Sequence, residues 1–206
     1  DRVSRARREA RVTVETCPHY LIFSEDDLER LGGVLKCTPP VRTRETVEAL
    51  WDCVRSGSVD VISSDHSPST VAQKNPVSGS FWDMWGGAQG VQTMLPALFT
   101  HGVRRRGLSV EMLVRLVSEN PARLMGLYPR KGVIRIGSDA DLTILDPSAR
   151  WTLAPEMLLH KNKHSPYMGM EFEGRVTATL VRGAVVFDGR GITADPGSGR
   201  LLRGSF

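Results

Sequence analysis

Asp65 and His66 close the apolar part of DVISSDHSP, residues 60–68, where Val61 and Ile62 are β-branched and Pro68 follows two residues after the histidine. β-Branched residues favour a pleated, half-buried strand, and a carboxylate at the end of such a run is costly to place beside a core. It is well placed if the strand belongs to a parallel barrel, because reacting groups there gather at the C-terminal ends of strands. A carboxylate at that rim can ligate a divalent metal, take a proton from an activated water, or do both in turn. Asp65 could equally begin a loop or cap a turn, and the four residues Asp-His-Ser-Pro alone do not separate these roles.

The elements around Asp65 follow βαβ grammar. VTVETCP, closed by Pro18, reads as a strand ending in a loop. SEDDLERLGG carries Ser24 as an N-cap and acids in its first turn, which predicts a short helix. CTPPVR must be extended, because each proline disfavours the helical region for the residue before it. RETVEALWDCVRSG places Val47, Leu50, Trp51 and Val54 on one helical face before Gly57. The strand leading to Asp65 comes next, so the order is that of a parallel sheet, open or closed into a barrel.

Beyond Pro68, a polar stretch to Ser80 is long enough to be a functional loop. GGAQGVQTMLPALFTHGV predicts a helix up to Gly102 with Pro96 as a possible kink, and Ser109 caps a helix whose stripe is Leu113, Leu116, Val117 and Leu124. Pro121 predicts a break between two helical pieces. GVIRIGSDADLTILDP and RVTATLVRGAVVFDG read as two hairpins, the second turning at Arg182–Gly183, with a short helix and loop between them. The tail after Gly189 is rich in Gly and basic residues, hence flexible or pinned by a partner. The partition expected is an α/β unit over 1–130, a β unit over 131–188 and the tail 189–206.

Composition sets the outer bounds. The 206 residues, 40% hydrophobic and 24% charged, are those of an ordinary globular protein. A net charge of +4, without basic residues interleaved with aromatics, argues against nucleic acid as a partner. Cys17, Cys37 and Cys53 lack CxxC spacing, which points to reduced thiols in the cytoplasm. No apolar stretch approaches the roughly 20 residues of a membrane span.

Several segments taken together, ETCPHYL, LKCTPPVR, SSDHSP, WGGAQGVQ, SENPARLMGLYPRKGVIRIGSDADLTILD and HKNKHSPYMG, resemble the cyclic-amide hydrolases of the amidohydrolase superfamily in order and spacing. Allantoinases resemble it most, with dihydropyrimidinases (hydantoinases) and dihydroorotases as cousins. The resemblance runs from about residue 11 to 187 and rests most on SSDHSP together with the NPAR…G-x-D-ADL stretch. It implies the C-terminal part of a (β/α)8 TIM-type barrel plus part of a small β-sandwich. It also implies a binuclear zinc centre and a homo-oligomer, dimer or tetramer, acting on a small cyclic ureide.

Asp65 matches the family's eighth-strand aspartate, ligand to one metal and general acid/base. The sequence has no His-x-His, so the resemblance places the other ligands upstream of residue 1, and a chain limited to these residues is expected to be inactive. By motif match, the backbone at Cys37–Thr38 and at Gln89 would read the ring, and Ser67, where hydantoinases carry cysteine, would favour allantoin. His66 either orients Asp65 or contacts substrate from behind it, or packs. Trp82 and Trp85 line the pocket or pack in the core, His19 is read as loop-structural, and His101, His160 and His164 as surface or interface residues. The alternatives are another cyclic ureide as substrate, or an amidohydrolase-fold scaffold without catalysis.

Overall fold

A computed structural model describes residues 2–205; Asp1 and Phe206, the ends of the expected partition, lie outside the described residues. The chain forms two compact units, Asp1–Ala97 with Thr152–Glu171, and Leu98–Trp151 with Phe172–Phe206.

In the first unit, α1 (Arg2–Ala6) leads to β1 (Glu15–Thr16), which pairs in parallel with β2 (Val61–Ile62) in the register Glu15↔Val61 and Thr16↔Ile62. The β-branched run from Val12 therefore yields a strand of only two residues. The entry to both strands is fixed by Asp60, whose carboxylate accepts from the Val14 N–H (2.7 Å) and from Arg7.

Between the strands lie α2 (Pro18–Ile22), α3 (Glu25–Leu31) and α4 (Arg44–Arg55). Helix α3 starts where expected, with the Asp27 carboxylate accepting from the Ser24 N–H at 3.0 Å. Helix α4 buries Val47, Trp51 and Val54, the predicted stripe, while Leu50 stays half-exposed. The Trp51 indole donates to the Leu21 carbonyl at 2.6 Å and so fastens α4 to α2. The extended CTPPVR segment contains a cis Thr38–Pro39 peptide. After β2 come the single turn α5 (Val71–Lys74) and a short 3₁₀ turn at Phe81–Asp83.

Helix α6 (Met94–Leu98) starts later than the sequence suggests, because residues 86–93 form a loop, and it widens into a π-helical turn over Phe99–Arg104. In the second unit, α7 (Val110–Val114), capped by the Ser109 side chain, passes through a π-helical turn (Arg115–Glu119) into α8 (Asn120–Leu124). Pro121 falls in the first turn of α8, where a missing N–H costs little, so the expected break does not occur. Leu113 and Leu116 are buried, whereas Leu124 is exposed.

The second unit's sheet has the order β3 (Leu142–Thr152), β4 (Glu171–Val181), β5 (Ala184–Phe187). Strands β4 and β5 form the expected antiparallel hairpin, turning at Arg182 and Gly183 with φ of 50° and 81°. The other expected hairpin reduces to β3 alone, since residues 132–141 are turns cross-linked by Lys131 to Asp139 and Asp141. The tail folds back onto its own unit: Arg182 donates to the Ser198 carbonyl (2.7 Å), and the Ser205 N–H to the Gly126 carbonyl (3.0 Å). Among the described residues, no helix is long and apolar enough to cross a membrane.

Candidate metal centre and ring-recognition loops

Parallel pairing brings the ends of β1 and β2 to one edge, and the residues that follow both strands meet there. Cys17 and His19 come from the β1 end, Asp65 from the β2 end, and one donor atom from each lies within 4.8 Å of the others. Asp65 leaves its strand with a φ of 43°, a left-handed turn that short polar side chains such as Asp tolerate. Its carboxylate is 56% exposed and so can meet solvent or a ligand.

His19 is the opposite. It is 1% exposed and packed on Tyr20, with Nε2 3.9 Å from Asp65 Oδ2, and that nitrogen has no hydrogen-bond partner among the described residues. Burial lowers its pKa to about 4, against the pull of Asp65, so the ring is neutral at pH 7 and keeps a lone pair. Burial, then the Asp65 charge, pushes the Cys17 thiol up to about 11, so it stays protonated unless a cation compensates it.

The donor set fits one divalent cation of the zinc type: a carboxylate, a neutral imidazole with an orphaned buried nitrogen, and a thiol that a metal would deprotonate. Asp65 is the member of this group that the sequence pattern singles out. Cys17 and His19 follow a different strand, and only the pairing of β1 with β2 would have revealed their approach.

A second structural layer holds the loop 85–91 beside this edge. His66 pairs in parallel fashion with Ala88, the Ser67 N–H donates to the Ala88 carbonyl (2.9 Å), and the Gly87 N–H donates to the Lys36 carbonyl (2.8 Å). The loop therefore lies between segment 36–38 and the residues after Asp65. Gly87 permits this closeness, since a Cβ there would stand 2.4 Å from the Ser67 Cβ, at a φ of 131°. The Ser67 hydroxyl accepts from the Trp85 indole at 2.9 Å.

His66 Nδ1 accepts from the N–H groups of Gly90 (3.2 Å) and Val91 (3.3 Å), which makes it a loop anchor. Gln89 is 1% exposed; its side-chain amide donates to the Ser69 carbonyl (2.8 Å) and its backbone carbonyl accepts from the Ser165 hydroxyl (2.7 Å). Cys37 is buried, with its thiol pKa raised by burial, and Thr38 is exposed. Trp82 is 88% and Trp85 51% exposed, so neither is a core residue. His160 packs edge-on against His66, and His164 lies 2.6 Å from the Gln89 amide nitrogen; both are half-buried.

An acid and a neutral imidazole thus meet at the ends of two parallel strands, the place where a parallel α/β unit gathers reacting groups. The amidohydrolase family model matches residues 6–186, and the chain belongs to that family. It is 45% identical over 192 residues to an allantoinase of Rubrobacter xylanophilus and 44% identical over 192 residues to one of Solibacter usitatus. Each match covers 93% of this chain and 41% of the relative, so the chain spans about two fifths of the length of the curated relatives it matches. Among solved structures, the L-hydantoinase (dihydropyrimidinase) of Arthrobacter aurescens superposes with a TM-score of 0.88 at 37% identity, covering 94% of this chain and 43% of that one. The dihydropyrimidinase of Brevibacillus agri gives 0.93 at 31% identity, covering 100% and 46%. The fold is accordingly part of the amidohydrolase barrel architecture, and among the described residues the sheet is not a closed barrel.

Proposed function

We propose that this chain supplies the acid/base carboxylate and the ring-recognition loops of a metal-dependent enzyme that opens a cyclic amide, hydrolysing allantoin to allantoate. The observation that carries the reading is the meeting of half-exposed Asp65 with the orphaned His19 nitrogen at the common strand edge. The identity to several allantoinases, 36–45% over about nine tenths of the chain, supports the choice of ring.

Asp65 would hold the metal, with His19 Nε2 and the Cys17 sulfur within reach, and a zinc pair requires further donors beyond these three. When bound, the metal pair supplies Lewis acidity toward the amide carbonyl and lowers the pKa of water. Asp65 accepts the proton of the attacking water on a carboxylate oxygen and returns it to the leaving ring nitrogen, serving as base and then acid. The backbone at Cys37–Thr38 and at Gln89 pairs with the planar N–C=O edge of the ring, a match of fixed donors and acceptors. Ser67, between Asp65 and the loop, favours the ureido-substituted hydantoin ring, and His66 keeps the loop against the strand end. The enzyme works in the cytoplasm as a homo-oligomer, where its three free thiols stay reduced.

The test uses the native protein that carries this sequence, loaded with zinc and offered allantoin, a 5-substituted hydantoin and dihydrouracil. Ring opening of allantoin is expected, and Asp65→Asn lowers kcat by about 10²- to 10⁴-fold without altering the circular dichroism spectrum. Preference for the hydantoin or dihydrouracil gives the second reading, which the likeness to the A. aurescens enzyme favours. Hydrolysis of none of the three by folded, zinc-loaded protein overturns the enzymatic reading in favour of a scaffold.

A further inference from the structure

Lys74 ends α5, is 1% exposed, and plays no part in the chemistry assigned to Asp65. Its helix is a single turn locked at both ends of a capping box. The Thr70 N–H donates to Gln73 Oε1 (2.8 Å), and the Gln73 N–H donates to Thr70 Oγ1 (3.2 Å). The ammonium donates to three backbone carbonyls, of Lys36 (3.1 Å), Trp85 (2.9 Å) and Gly87. An ammonium has three N–H groups, so all of them are used on carbonyls.

Those carbonyls belong to the two segments given the task of reading the ring. Lys36 precedes Cys37 and Thr38, while Trp85 and Gly87 precede Gln89. The second segment is also tied by the Gly87 N–H to the Lys36 carbonyl, by the Trp85 N–H to the Gln73 carbonyl (2.8 Å) and by the His66 and Gln89 bonds described above, but the Lys74 ammonium joins both segments through one atom. Lys36 reinforces the arrangement from outside, its ammonium donating to the carbonyls of Phe81 (2.6 Å), Trp82 (3.2 Å) and Met84 (2.7 Å). Removing the Lys74 donors would take the ammonium from the Trp85 and Gly87 carbonyls and leave the Lys36 carbonyl with the Gly87 N–H alone, a loss that would let the loop move.

We propose that Lys74 is a positioning residue for the substrate: its ammonium sets the spacing between the Cys37–Thr38 backbone and the 85–89 loop, and thereby governs capture of the cyclic ureide without touching the reacting atoms. This rests on the function proposed above. Because Asp65 is carried by β2 and not by these segments, the effect falls on KM and leaves kcat.

Protonation gives the proposal a second signature. Burial lowers the Lys74 pKa to about 8, with Cys37 favouring the charged form and Lys36 opposing it. As the pH rises through that value, the ammonium becomes an amine with two N–H groups, and one of the three carbonyls loses its partner.

The experiment compares the native protein with Lys74→Met. The KM for allantoin is expected to rise about tenfold at pH 7 with kcat within about twofold. Wild-type KM rises with pH through about 8, whereas in Lys74→Met it stays high and flat. Deuterium exchange of a peptide covering residues 81–90 should quicken in the variant while the peptide of α4 stays protected. An unchanged KM in the variant, or a loss confined to kcat, overturns the proposal. If the variant does not fold, the wild-type profile decides, and a KM flat through pH 8 overturns it. Should the wild type open no cyclic ureide, the function proposed above fails, and the exchange comparison separately judges whether Lys74 clamps the loop.

Discussion

In the unit that carries Asp65, the strands are two residues long, and much of the backbone near the site is satisfied by side chains: Lys36, Lys74, Gln89, His66 and Asp60 each bond main-chain groups far away in sequence. In the other unit, β3 and β4 each run for eleven residues, and the sheet itself satisfies the backbone. A ladder commits successive N–H and C=O groups to neighbouring strands. Clamps made by single side chains instead bond chosen carbonyls one at a time. The cost is that each clamp is one residue deep, so the clamped unit is the more vulnerable to single substitutions.

The largest effect that tests this contrast belongs to Trp51. It is fully buried and its indole holds Leu21 at the base of the His19 helix, so Trp51→Ala should destabilise the protein by about 3–5 kcal/mol in urea unfolding. A loss below about 1 kcal/mol would mean that the first unit does not depend on such single fasteners.

A smaller effect is expected in the sheet unit at Gly174, where φ is +84° and a Cβ would stand 2.6 Å from the Phe99 ring. Gly174→Ala should cost more than about 1 kcal/mol, from backbone strain and overpacking together. The thermal midpoint of the variant measures it, and equality with wild type would show that the sheet absorbs the strain.

The smallest effect concerns the turns before β3. Burial opposes ionisation of Asp141, but the Lys131 ammonium and the Arg182 N–H outweigh it, and Lys131 and Arg130 likewise hold the Asp139 pKa down. Carboxylates depressed in the folded state lend stability that is present above the ordinary value of 3.8 and is lost as pH falls through the folded value. Lys131→Met should therefore lower the thermal midpoint slightly at neutral pH and flatten its fall below pH 3.8, so that variant and wild type converge in acid. An unchanged acid slope would remove these pairs from the contrast.

Much of this molecule was legible in the residues alone. The Ser24 and Ser109 helix starts, the Val47–Trp51–Val54 face, the Arg182–Gly183 turn and Asp65 at a strand end all depend on neighbours within about four positions, and their signals are local. The family motifs also carry the barrel architecture. Other features depend on partners far along the chain. VTVET became two strand residues because only Glu15 and Thr16 find a partner in β2, and GVIRIGSDAD became turns because Lys131 draws in Asp139 and Asp141. His19 reads as a loop residue but lies in α2, and Lys74 carries no signal at all, since an isolated lysine in a polar stretch reads as solvated. The sequence by itself determined the local conformations and the carboxylate at the end of β2. Only the tertiary structure decided which imidazole faces that carboxylate and which ammonium ties the two loops, because a buried polar group finds its partner through the register of segments dozens of residues apart.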